Sequence, residues 1–145
     1  MIGHVRLDRR TKNLSRRLHP GDIAVIDHVD LDRVGAEALV ARGVAAVINV
    51  APSTSGRYPN LGPTILLEGG VPLIDDVGPT AFSRLREGGV VRVDGDTVYD
   101  LDGLILLKAA RQTEESVAVA MTEARAGLAA PHEAFAANTM EYLRR

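Results

Sequence analysis

From Asn49 to Pro63 the sequence reads Asn-Val-Ala-Pro-Ser-Thr-Ser-Gly-Arg-Tyr-Pro-Asn-Leu-Gly-Pro. Three hydroxyls (Ser53, Thr54, Ser55), an arginine fork (Arg57) and the polar tips of Tyr58 and Asn60 lie within eight residues. Hydroxyls and a planar guanidinium together suit a phosphate or carboxylate. Gly56 and Gly62 would let the backbone approach such a group closely. The stretch lacks the closing Gly-Lys-Ser/Thr of a P-loop, so it offers anion recognition rather than a nucleotide-hydrolysis signature. The competing reading is a rigid, Pro-rich loop whose Arg57 and Tyr58 pack on a neighbouring domain or subunit.

A second cluster of candidates is acidic. Asp27, His28, Asp30 and Asp32 follow one apolar run, and Asn49 and Asp75-Asp76 follow two others. Carboxylates converging there would suit Mg²⁺ held through water, as beside a bound nucleotide. Local roles compete for the same residues: Asp30 as a helix N-cap, Asp27 and Asp75 as strand ends, Asp32 as a first-turn acid. His28 has no spaced His or Cys partner, so no metal site is assigned. The candidate ligand-binding set is therefore Asn49, Ser53, Thr54, Ser55, Gly56, Arg57, Tyr58, Asn60, Gly62, Asp27, His28 and Asp75. No nucleophile elbow, His-Glu-x-x-His or Gly-x-Gly-x-x-Gly occurs, and no catalytic residue is assigned. His4, His19 and His132 fall in arm or linker positions.

These residues need elements to hold them. Asp22–Asp27 and Val44–Val50 are apolar runs that read as buried parallel strands. Between them Asp30 is expected to cap a helix from Leu31 that stops at Gly43. Asn60 is expected to cap a short helix, Leu61 to Glu68, with Pro63 in its first turn. Val71–Ile74 is a third strand, and Gly78-Pro79 opens a helix through Arg86. The loop thus lies at the C-terminal end of a parallel strand and before a helix, the edge where open α/β sheets bind ligands. From Gly88 the pattern changes. Val90–Val93, the Asp94-Gly95 turn and Thr97–Tyr99 predict a hairpin, and Leu104–Leu107 a third antiparallel strand. This meander would cover the sheet face without helices. Thr113 caps a long helix to about Gly127 with an apolar stripe of Val117, Ala120, Met121 and Ala124. Pro131 opens a last helix with Phe135, Thr139 and Leu143 on one side and Tyr142 beside them. The expected class is α/β, a short parallel β-α-β core with an antiparallel meander and two C-terminal helices.

The chain has 145 residues, 46% apolar and 25% charged, enough for one domain with its own core. Aromatics are 3%, so Val, Leu, Ile and Ala must fill that core, and the lack of cysteine excludes disulfides and thiolate metal sites. No apolar run approaches the roughly 20 residues of a membrane span, and no signal peptide begins the chain. A cytoplasmic location is expected. Charge is uneven: residues 1–20 carry +5 (Arg6, Arg9, Arg10, Lys12, Arg16 and Arg17 against Asp8), the remainder −7. Leu7, Leu14 and Leu18 interrupt that basic stretch at helical spacing, which favours docking over nucleic-acid binding, and no aromatics are interleaved. Domain organisation is read as a basic arm (1–20), an α/β domain (21–112) and C-terminal helices (113–145). The last helix has no stop signal, so a further domain is expected beyond it.

Four stretches resemble the N-terminal half of the SteA-type cytokinetic ring proteins of actinobacteria. They are Asp8-Arg-Arg-Thr-Lys-Asn-Leu, Ile26-Asp-His-Val-Asp-Leu-Asp-Arg-Val, Ser55-Gly-Arg-Tyr-Pro-Asn-Leu-Gly-Pro63 and Glu133-Ala-Phe-Ala-Ala-Asn-Thr-Met-Glu-Tyr-Leu-Arg144. The resemblance implies a role in septation and cell separation with a membrane-protein partner. It also implies a following domain similar to thiamine pyrophosphokinase and a membrane-anchoring tail, placing the protein at the membrane or septum. The element order also looks like the swivelling β/β/α phosphohistidine domain of phosphoenolpyruvate-utilising enzymes. There a histidine follows the Thr-Ser pair; here Thr54-Ser55 is followed by Gly56-Arg57, which removes phosphocarrier chemistry. The leading expectation is a non-catalytic ligand-sensing and assembly domain that binds a nucleotide, with or without Mg²⁺, or another phosphate-bearing ligand at residues 53–62. The alternatives are half of a thiamine-pyrophosphokinase-like phosphotransfer centre, and a structural homodimerisation module using the last two helices.

Overall fold

The computed structural model describes residues 1–57 and 59–129. Eight strands form one mixed sheet: β1 (Ile2–Leu7), β2 (Ile23–Ile26), β3 (Ala46–Asn49), β4 (Leu73–Asp75), β5 (Val90–Asp94), β6 (Thr97–Tyr99), β7 (Ile105–Lys108) and β8 (Ala110–Arg111). Five helices accompany them: α1 (Thr11–Ser15), α2 (Arg33–Ala41), α3 (Gly62–Glu68), α4 (Ala81–Arg84) and α5 (Glu114–Ala129). The strand order is β7-β6-β5-β1-β2-β3-β4-β8. β1 to β4 run parallel, while β5–β7 and β8 pair antiparallel at the two sides.

Curvature of the sheet follows from its connectivity. β7 and β8 lie at opposite ends of the strand order, yet only Ala109 separates them. Consecutive Cα atoms are about 3.8 Å apart, so the two edges must come close and the sheet curls into a nearly closed barrel. Arg84 of α4 donates to the Ile105 and Leu106 carbonyls, giving the open edge of β7 hydrogen-bond partners.

Period-two alternation splits the core in two. Ile23, Val25, Ala46, Ile48 and Ile74 point into the barrel and meet Val91, Val93 and Val98 of the meander. Ala24, Ile26, Val47 and Leu73 point outward beneath the helices, with Leu14, Leu31, Ala36, Leu39 and Leu66. The meander thus covers the inner face of the parallel strands, joined there by Ala81 and Phe82 of α4, and its hairpin is the one the Asp-Gly turn predicts. Gly95 takes φ +62° in that turn, a conformation that costs glycine little.

Residues 1–20 are not a separate arm. They supply β1, the strand that joins the parallel half to the antiparallel half, and α1, whose Leu14 is fully buried with Leu18 nearby. Each buried leucine contributes about 1.5–3 kcal/mol. The basic residues there are partly neutralised within the fold. Arg6 bonds Asp22 and Glu87, Arg17 bonds Glu87, and Arg9 bonds Asp27 while stacking 4.3 Å over Phe82.

Desolvation would raise the Glu87 carboxyl, but the Leu7 N–H, Arg6 and Arg17 outweigh it and hold it below its usual range. Its contribution to stability is therefore present above about pH 4.3 and is lost as pH falls through the lower folded value. With both side chains of the Arg17–Glu87 pair more than 40% exposed, the expected loss in Glu87→Gln at pH 7 is under about 1 kcal/mol. Urea midpoints of wild type and variant should converge in acid; a constant gap from pH 7 to pH 3 would contradict this.

Candidate functional site

Three parallel strands end side by side, and their outgoing loops form the site. The end of β3 is its hub. Asn49 is fully buried, and its Oδ1 accepts the His28 and Ala51 N–H groups at 3.0 and 3.1 Å. Its Nδ2 donates to the His28 carbonyl at 2.9 Å and to Ser53 Oγ at 2.7 Å. Asn49 therefore ties the loop after β2 to the loop after β3 and has no capacity left for a ligand.

Ser53 is consumed in the same way. Its N–H donates to the Asp75 carboxylate at 2.9 Å, and its carbonyl accepts from the Leu31 N–H and from Asn60 Nδ2. Asp75 is only 3% exposed, and Gln112 Nε2 donates to it at 2.8 Å. Burial pushes the Asp75 carboxyl above its ordinary value, and the bonds from Gln112 and Ser53 offset this only in part.

Asp30 departs from its expected role. The helix cap is Asp32, whose Oδ1 accepts from the Gly35 N–H at 2.7 Å. Asp30 instead takes φ +50°, and its carboxylate accepts from Ser55 N at 2.7 Å and Ser55 Oγ at 2.9 Å. The loop's hydroxyl and N–H do meet an anion, and that anion is the protein's own. Asn60 does not cap α3 either; its amide bridges the Leu31 and Ser53 carbonyls, 2.8 Å from each. Gly62 approaches the Leu31 backbone rather than a ligand: a Cβ there would lie 2.1 Å from the Leu31 oxygen.

What remains open is a cleft of about 690 Å³ lined by Val29, Asp30, Pro52, Thr54, Ser55, Arg57 and Asp76. Of the residues nominated from sequence, Thr54, Ser55 and Arg57 line it, with Gly56 at φ +81° between the last two. Asn49, Ser53, Asn60, Gly62 and Asp75 build the scaffold behind it. Asp27 pairs with Arg9 at 3.1 Å, and His28 Nδ1 lies 2.9 Å from Thr11 Oγ1, so both face other neighbours. Tyr58 lies outside the described residues, as do Phe135, Thr139, Tyr142 and Leu143 of the last helix. Among the described residues no group of three or more His, Asp or Glu is placed to hold a metal ion.

Asp30 and Asp76 stand in the acidic cluster read from the sequence but outside the candidate ligand-binding set, and both line the cleft. Both are non-glycine residues at positive φ, and aspartate tolerates that region better than most side chains. An acid directly after a short strand, as in Asp75-Asp76, is the only local signal for it.

Comparison with family models, curated proteins and solved structures finds no match to the chain.

Proposed function

We propose that this is a non-catalytic ligand-sensing and assembly domain of a cell-division protein, with the cleft beside residues 53–57 recognising a phosphate-bearing ligand such as a nucleotide. The observation that carries the reading is Arg57. It is exposed at the cleft, and among the described residues its guanidinium makes no ion pair or hydrogen bond. Ser55 and its N–H are already committed to Asp30, so Arg57 is the positive group that the cleft offers. The cell-division assignment rests on the resemblance of the 8–14, 26–34, 55–63 and 133–144 stretches. On the same reading the fold is of the swivelling β/β/α type, supported by its parallel core joined to an antiparallel meander.

Assembly is supported by how the loop is tied to α5. Ser53 bonds Asp75, Asp75 bonds Gln112, and Ser116 Oγ of α5 donates to Gln112 Oε1. Asn60 N–H also points at Met121 Sδ of α5, 3.4 Å away. A ligand that repositions the loop would thus load the helix leading towards the chain's C-terminal residues. Calorimetric titration with ADP, ATP and nucleotide-sugars, with and without Mg²⁺, tests the reading. Binding is expected in wild type, and Arg57→Ala should weaken it at least about tenfold, the value of a charge-assisted hydrogen bond. Absence of binding to all of these and to simple phosphate monoesters would remove the ligand-sensing role.

A further inference from the structure

Asp76 is the cleft residue that anion recognition leaves unexplained. It is exposed, takes φ +52° and makes no side-chain hydrogen bond or ion pair among the described residues. Its position is nonetheless held on both sides. Asp75 before it is anchored to Ser53 and Gln112, and the Val77 and Gly78 N–H groups after it donate to the Asn49 and Val50 carbonyls at 3.1 and 3.0 Å. A carboxylate kept on left-handed backbone by such anchors is preorganised for a partner.

We infer that Asp76 accepts hydrogen bonds from hydroxyls of the ligand, so that the cleft takes a hydroxyl-bearing phosphate monoester of low total charge, such as a sugar phosphate. The inference rests on the phosphate-recognition reading and adds the other half of the ligand. Charge is the deciding argument. Asp30 and Asp76 line the cleft with one cation, Arg57, so only one phosphoryl group can sit against positive charge and each further phosphate of a polyphosphate would be repelled. A single phosphoryl group at Arg57 with donors reaching Asp76 satisfies both ends. Asp30 is spent on Ser55, which leaves Asp76 as the acceptor. Val29 and Pro52 supply an apolar wall for the carbon skeleton between them.

The test is a titration of the full chain with methyl phosphate and ribose 5-phosphate, followed by calorimetry. Wild type should bind ribose 5-phosphate about tenfold or more tighter, as expected for hydrogen bonds to a charged acceptor. Asp76→Gly keeps the positive φ without a side chain and should reduce the ratio to near one, leaving methyl phosphate affinity equal or improved. Asp76→Asn, equally suited to that backbone, should fall between, while Arg57→Ala should weaken both esters. Thermal unfolding of each variant confirms that the fold is kept. A preference unchanged in Asp76→Gly, or equal affinities in wild type, overturns the hydroxyl assignment while the phosphate reading stands. Failure of wild type to bind either ester overturns both.

Discussion

Gly62→Ala is expected to lower the thermal midpoint of the domain by roughly 10 °C, a loss of about 3 kcal/mol or more. The added methyl would sit 2.1 Å from the Leu31 oxygen, 2.6 Å from its carbonyl carbon and 2.8 Å from its Cγ. None of these can yield. The Leu31 oxygen accepts from both Gly62 N and Asn60 Nδ2, its N–H donates to Ser53, and its side chain is fully buried. Relief requires α3 to move away from α2, against which it packs. Gly56→Ala is the matched control, because a Cβ there meets nothing within 4 Å and only the φ of +81° opposes it. That strain costs about 1–2 kcal/mol. Differential scanning fluorimetry on the two variants separates collision from strain. A Gly62→Ala midpoint within a few degrees of wild type would mean that the two loops are not locked together.

Such locking explains which parts of the molecule could be read from the sequence. β2, β3 and β4 are apolar runs bounded by turn residues, and the Asp94-Gly95 pair announces the β5–β6 hairpin; each signal is local. β1 is not. Only Gly3 and Val5 are buried along it, and arginines and Leu7, Leu14 and Leu18 at helical spacing mask the alternation. Its strand character comes from neighbours on both sides, β2 parallel and β5 antiparallel. β8 is two residues long and exists through its pairing with β4. The site shows the same division. The hydroxyls, Gly56 and Arg57 of residues 53–57 are legible as a loop rich in groups that suit an anion. That Asp30, 25 residues before Ser55, would satisfy part of that demand depends on how the loops meet. Once Asp32 takes the cap, Asp30 is freed to turn left-handed and clamp the loop.

Asn49 carries the largest share of that clamp. Its replacement by alanine should cost about 3 kcal/mol, because buried donors and acceptors left without partners cost about 1–3 kcal/mol each and some reach water. The groups stranded are the His28 N–H and carbonyl, the Ala51 N–H and Ser53 Oγ. On the proposed function, affinity for a phosphate-bearing ligand should fall with stability, since Ser53 precedes Thr54, Ser55 and Arg57 at the cleft. Asn49→Asp is the sharper probe. Its carboxylate would still accept the two N–H groups, and the Ser53 hydroxyl can turn to donate to it, but the His28 carbonyl would face a negative charge. Burial at a fully enclosed position raises the carboxyl's pKa, as it does for Asp75. With the folded value above the unfolded one of about 3.9, the acid is neutral in both states below pH 4 and can then donate to His28. Its destabilisation should begin above about pH 4, grow with pH, and level off once pH exceeds the raised folded value. Urea midpoints for Asn49→Asp should therefore approach wild type in acid and diverge towards neutrality, the same direction as in the Glu87→Gln comparison, but here the titrating carboxylate is the variant's rather than the wild type's. A constant offset across that range would place the Asn49 side chain in contact with water rather than inside the clamp.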